Sequence, residues 1–154
     1  MRLADRRIAA VYSSPLERAV ETAEPLAKRL GHQVQIRQDL TEIDIGVWQG
    51  MTLSDLANDP IWSRFNTNRG TVSAPDGEMM IDVQARMSKQ LECLRLDHIG
   101  QTIAVVCHAD VIKAVLMLYL NMPLDCHLRL EISPASVSVV ELAEWGPRVL
   151  AVNT

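Results

Sequence analysis

The sequence predicts an α/β fold, and three observations carry that reading. Two short apolar, β-branched runs, Ile8–Tyr12 and Thr102–Cys107, each pass directly into a stretch with helical character, as buried strands feeding helices do. The 154 residues are 48% hydrophobic and 22% charged, the balance of an ordinary globular domain and not of a disordered chain. A chain of this length buries roughly two-thirds of the surface its unfolded form exposes, enough for a core without disulfides. One domain over residues 1–154 is expected.

The first strand–helix junction carries the clearest local signals. Ser14 reads as an N-cap, Pro15 as the first helical residue and Glu17 as the third, which together make a capping box. The helix should be bent or interrupted at Pro25, where an i−4 hydrogen bond is lost, and should stop at Gly31. Val34 and Ile36 among polar neighbours alternate like a short strand. From Thr41 to Gly77 the pattern breaks into short helical pieces, at Thr52–Asp55 and after Asp59-Pro60, which suits a lid or insertion. Met80, Val83, Met87, Leu91 and Leu94 form one apolar helical stripe, and its methionines read as core filler. Asp110 to Leu120 favours a helix that Asn121 and Pro123 end. Val137–Leu142 and Val149–Val152 suggest two closing strands around a Trp145-Gly146-Pro147 turn.

The charge balance narrows the partners. Net charge is −4 and the 15 basic residues are dispersed, so neither a nucleic acid nor an anionic membrane is expected as the main partner. Any anion must be caught locally. The three cysteines, Cys93, Cys107 and Cys126, make no CxxC pair and read as reduced thiols. The N-terminus has no apolar core of signal-peptide length, so a cytoplasmic location is expected.

Two junctions hold side chains suited to an anion, because ligands of open α/β sheets sit outside the carboxyl ends of strands, where helix N-termini offer free N–H groups. At the first, Arg18 lies in the opening helical turn, and its planar fork can hold two phosphate oxygens at once. As a residue type alone it reads as a surface arginine paired with Glu17 or Glu21. At the second, His108 stands where the strand ends, beside the N–H groups of Ala109 and Asp110, either as a ligand or as a helix cap. Cys107 points to the opposite strand face and makes a poor dyad with it. A metal site from His108, Asp110, Cys126 and His127 matches no closed zinc spacing, and no metal or cofactor is expected.

Tyr12-Ser13-Ser14-Pro15-Leu16-Glu17-Arg18-Ala19-Val20-Glu21-Thr22-Ala23 resembles a signature of the histidine phosphatase, or phosphoglycerate-mutase-like, superfamily. Leu40–Gly50 resembles that family's acidic loop, Pro75-Asp76-Gly77-Glu78 its P-x-G-E segment, and Val105–Ala114 its second-histidine motif; Ile132–Val137 is similar to its late strand. The motifs follow the family's order and span essentially the whole chain. The resemblance implies a three-layer sandwich with a mostly parallel sheet flanked by helices. It also implies that Arg18 clamps a phosphate, that His108 binds it and stabilises charge on its oxygens, and that Glu42 donates a proton to the leaving alcohol. Ala109 would offer its N–H, while Ser14 and Glu78 are secondary candidates. A carboxyl beside a dianionic phosphate should have its pKa raised, which suits an acid working near neutrality.

The family passes its phosphoryl group through a histidine in an Arg-His-Gly motif on the first, central strand, and the 154 residues contain no Arg-His-Gly. The resemblance therefore implies that the first central strand and helix are missing, the domain being incomplete at its N-terminus. Met79 stands where the family often has serine, and Ala109 where it usually has glycine. The expected activity is that of a phosphomonoesterase on a small phosphorylated metabolite, with the nucleophile supplied by the absent segment, and the expected ligand is a phosphorylated small molecule or inorganic phosphate. The alternatives are an inactive pseudophosphatase acting as a phosphate- or partner-binding module, and a phosphoglycerate-mutase-type isomerase. Unpaired strand edges make a homo-oligomer a further expectation.

Overall fold

Ile8–Ser13 forms the central strand, β1, of a parallel sheet, and all but Ala9 of its residues are buried, as a strand flanked on both sides requires. The computed structural model describes Leu3 and residues 6–154. They divide into two compact units, Met1–Glu42 with Met87–His108, and Ile43–Arg86 with Ala109–Thr154.

In the first unit the chain runs from β1 through helix α1 (Glu17–Leu30) to β2 (Val34–Ile36), and later returns as β3 (Thr102–Val106). The sheet order is β2-β1-β3, with both pairings parallel. Helix α1 lays Ala23, Leu26 and Ala27 onto Ile8, Val11 and Ala104, with Leu30 and Val34 at the margin of this core. Small alanines let the helix approach the sheet closely, and the leucine fills the space beside them. Gly31 ends the helix at φ 73°, a left-handed conformation that a glycine adopts without cost, and His32 N–H closes the end on the Ala27 carbonyl at 2.9 Å. On the other face of β1, Tyr12 Oη shares a hydrogen bond of 2.8 Å with His98 Nε2.

Two details differ from the sequence expectation. Helix α1 starts at Glu17, with Leu16 at the N-cap and no side-chain cap, so there is no capping box on Ser14. Ser14 is instead drawn into the sheet: its N–H donates to the Val106 carbonyl at 2.9 Å, which delays the helical turn by two residues. Nor does Pro25 interrupt α1, which is continuous through it. Pro25 faces solvent, where water reaches the carbonyl it deprives, while Leu26 and Ala27 stay anchored in the core.

The second unit contains the stretch expected to behave as a lid, and that stretch has an aromatic core of its own. Helices α2 (Leu53–Leu56) and α3 (Pro60–Thr67) are both capped as their sequences suggest, by the Thr52–Asp55 capping box and by Asp59 ahead of Pro60. Trp48 packs edge-on against Trp62 and Phe65 at centroid separations of 5.4 and 5.2 Å, and its indole N–H donates to Asp59 Oδ2 at 2.9 Å. Helix α4 (Met80–Asp97) begins in this unit and buries Met80 and Val83, the first residues of the methionine stripe. Helix α5 (Ala109–Tyr119) buries six residues from Val111 to Met117, Lys113 among them. The chain closes with an antiparallel hairpin, β4 (Val139–Ala143) and β5 (Gly146–Ala151), turning at Glu144-Trp145, one residue earlier than expected.

A buried ion cluster stands at the start of α5. Asp110 Oδ2 accepts from Arg69 Nη1 at 3.1 Å and Oδ1 from His127 Nε2 at 2.9 Å. Burial pushes the Asp110 carboxyl up, but the His127 hydrogen bond and the Arg69 charge outweigh it and hold the carboxyl below its usual range. The fold is thus α/β, with a parallel three-stranded sheet flanked by helices.

Two outcomes are expected for stability. Gly46 has φ 52°, and a Cβ there would overlap the Pro75 carbonyl, whereas Gly31 at φ 73° faces open space. Urea unfolding should therefore show Gly46→Ala losing more than about 2 kcal/mol and Gly31→Ala only about 1 kcal/mol. Because the Asp110 pKa is depressed in the fold, its stabilisation is complete above the unfolded value near 3.8 and is lost as pH falls through the lower folded value. Thermal melts of the parent should therefore fall on acidification below about pH 4, and Asp110→Asn should flatten that part of the profile.

Candidate functional site

The order β2-β1-β3 means that the chain leaves β1 toward one neighbour while the other neighbour arrives much later. Such a reversal leaves a crevice at the carboxyl ends of the two strands, where connecting segments part to opposite sides. Here those ends are Ser13 and Val106, which are register partners, and the next residues along are Ser14 on one strand and Cys107-His108 on the other.

The last rungs of the ladder bring two sequence-predicted residues together. Ser14 Oγ and His108 Nε2 share a hydrogen bond of 2.8 Å, with both residues buried, and Ser14 Oγ also accepts the Leu16 N–H at 3.3 Å. Ser13 Oγ donates to the Ser14 carbonyl at 2.9 Å, which fixes the peptide that carries this hydroxyl. His108 is thereby held in one orientation at the strand end. Arg18 is the second residue of α1 and is exposed; among the described residues its guanidinium makes no ion pair with Glu17 or Glu21. An unopposed cation in the first turn adds its charge to the free N–H groups and positive dipole end of the same helix.

Glu42 reaches the same edge by another route. Strand β2 runs parallel to β1, so the 3₁₀ turn after it, Gln38–Leu40, leaves from the carboxyl side of the sheet. Leu40 is fully buried and Glu42, two residues on, is half-buried, so the loop is anchored beside an acidic group that keeps access to solvent. Ala109 is the first helical residue of α5, and its N–H therefore has no acceptor within the helix.

Glu78 is placed differently. Arg86 grips both of its carboxylate oxygens, at 2.7 and 3.0 Å, and the Asp44 N–H lies 3.5 Å from Oε2. With its oxygens engaged, it braces the loop at Asp44–Gly46 against α4. Asp110 and His127, weighed in the sequence as metal ligands, do meet, but Arg69 occupies the second carboxylate oxygen. Among the described residues no three His, Cys, Asp or Glu side chains assemble into a ligand set for a metal ion. Arg69 had no local sequence signal; only its burial beside Asp110 reveals it. No helix of the described residues is long and apolar enough to cross a membrane.

The bifunctional protein Rv2228c of Mycobacterium tuberculosis is 36% identical over 148 residues, which are 95% of this chain but only 41% of that relative's length. Phosphoserine phosphatase 1 of Hydrogenobacter thermophilus is 29% identical over 145 residues, 93% of this chain and 69% of that protein. Among solved structures, Bacillus stearothermophilus YhfR superposes with a TM-score of 0.91 at 28% identity, covering 98% of this chain and 76% of its own. The mycobacterial glucosyl-3-phosphoglycerate phosphatase in complex with VO3 superposes at 0.84 and 26%, covering 99% of this chain and 79% of its own. The family model of the histidine phosphatase superfamily, branch 1, matches residues 1–154, and the chain belongs to that family.

Proposed function

We propose that the chain supplies the phosphate grip of a phosphomonoesterase acting on small phosphorylated metabolites. The observation that carries this reading is the Ser14–His108 hydrogen bond of 2.8 Å at the carboxyl ends of β1 and β3, with Arg18 in the first turn of α1. Arg18 would hold two phosphoryl oxygens through its fork, and the His108 ring and Ala109 N–H would neutralise charge on the others as the bond to the leaving alcohol lengthens. Glu42 would give its proton to the alcohol oxygen as that P–O bond breaks.

The phosphoryl group needs an acceptor, and the 154 residues contain no Arg-His-Gly. We take the accepting histidine to come from outside them; the new P–N bond would then be hydrolysed by water, returning the nucleophile and releasing phosphate. The same observation favours a second reading, a phosphate- or partner-binding module without turnover, in which the grip is retained for recognition alone.

Support for a phosphatase also comes from relatives, since two of the similar proteins are named as phosphatases of phosphoserine and of glucosyl-3-phosphoglycerate. These differ in the alcohol released, so the shared feature is the phosphate monoester. The loop from Met51 to Ala74, which carries Trp62 and Phe65 of the aromatic core, is the segment to which we assign substrate choice.

The purified 154-residue chain should hydrolyse p-nitrophenyl phosphate no faster than background while still binding inorganic phosphate by calorimetry. Arg18→Ala should weaken that binding by roughly tenfold to a hundredfold, the value of one charged two-point hydrogen bond. Phosphate affinity unchanged in Arg18→Ala would remove the grip. Robust turnover lost in His108→Ala would instead make His108 the nucleophile.

A further inference from the structure

Asp110 is held far more firmly than a helix-start aspartate requires. An acidic residue in the first turn already gains from the helix dipole and can do so from the surface. Here both oxygens are committed inside the second unit, Oδ1 to His127 Nε2 at 2.9 Å and Oδ2 to Arg69 Nη1 at 3.1 Å. The side chains of Arg69 and His127 are only 6% and 3% exposed. Putting a guanidinium out of water is costly, and here the Asp110 carboxylate and the Phe65 ring offset that cost.

Each partner is in turn fixed by its own segment. The Arg69 guanidinium lies 3.9 Å from the Phe65 ring centroid, which joins it to the aromatic core of Trp48 and Trp62. Gly70, the next residue, donates its N–H to Asp125 Oδ1 at 2.9 Å, two residues before His127. The stretch Phe65–Gly70 and the 3₁₀ helix Leu124–Arg129 therefore converge on the first turn of α5. Among the described residues His127 Nδ1 is buried with no hydrogen-bond partner, so the ring is held through Nε2, which donates to Asp110 Oδ1.

We propose that Asp110 is a positioning residue for phosphate binding: clasped by Arg69 and His127, it fixes the first turn of α5 and so the backbone of Ala109 and, one peptide earlier, His108. The proposal rests on the phosphate-binding reading above and adds a residue that never touches the ligand. It also gives the substrate-choosing segment, through Arg69, a direct hold on the residue that opens α5. A binding or sequence change in that segment would be felt at the helix start without any new contact to phosphate.

The test uses the 154-residue chain and three variants, Asp110→Ala, Arg69→Met and, as a control of comparable stability loss, Met80→Ala. Phosphate affinity by calorimetry, well below each melting temperature, should fall about tenfold or more in the first two and stay near the parent value in the control. Nitrogen-15 amide spectra should show Arg69→Met shifting the Ala109 and His108 signals from their parent positions. Parent-like affinity in both clasp variants would overturn the proposal. Should the parent bind no phosphate, the phosphate reading fails by itself; the amide shifts then decide the clasp, and unmoved Ala109 and His108 signals overturn it. If Asp110→Ala does not fold, Arg69→Met carries the same readouts.

Discussion

The amide of Ser14 donates to the Val106 carbonyl at 2.9 Å, and this last rung of the β1–β3 ladder governs the course of both chains beyond the sheet. Because the strands are parallel and in register at Ser13 and Val106, their chains leave the sheet side by side. The hydroxyl of Ser14 then meets the ring of His108 at 2.8 Å. Moving the pairing by one residue would turn His108 to the opposite face of the sheet and leave Ser14 without it. The Ser14 hydroxyl is engaged by His108 and by the Leu16 N–H, and α1 begins at Glu17. The cap lost at Ser14 is offset by a tertiary bond that aims a histidine.

A second constraint works inside the other unit, where short helices could not persist alone. Helix α2 has four residues and α3 eight, both below the length at which an isolated helix is stable in water. Their support is the contact of Trp48, Trp62 and Phe65, together with close backbone approaches at Gly46 and Gly77, where any side chain would collide with the neighbouring loop. Glu78 belongs to this bracing through its two-point bond with Arg86, which ties the P-x-G-E segment to α4.

Much of this was legible along the chain because the signals are local. The strand-then-helix order at Ile8 and Thr102, the Gly31 stop, the Thr52–Asp55 capping box and the Asp59-Pro60 start each depend on a few adjacent residues, and each appears at or within a residue or two of its expected place. Ser14 failed as a cap because its fate is decided by residues 92 and 94 positions away, Val106 and His108, which local reading does not weigh. Pro25 failed as a break for the opposite reason: the rule is local, but the packing of Leu26 and Ala27 onto the sheet overrides it. Arg18 and His108 stand out as candidates from their junction position, whereas Arg69 does not, since nothing around Asn68-Arg69-Gly70 announces a buried cation.

That contrast separates the strand ends from the loops beyond them. The residues at the strand ends are confined by the ladder, so their geometry changes little when loops change. The segment between Thr41 and Gly77 has no such ladder; it is held by aromatic contacts, by glycines and by the Arg69–Asp110 ion pair. Aromatic contacts tolerate repacking, but a buried ion pair does not tolerate losing one member, because the charge left behind is stranded. Variation should therefore be easy across most of that segment and costly at Arg69, the point where the loop is bound to the first turn of α5.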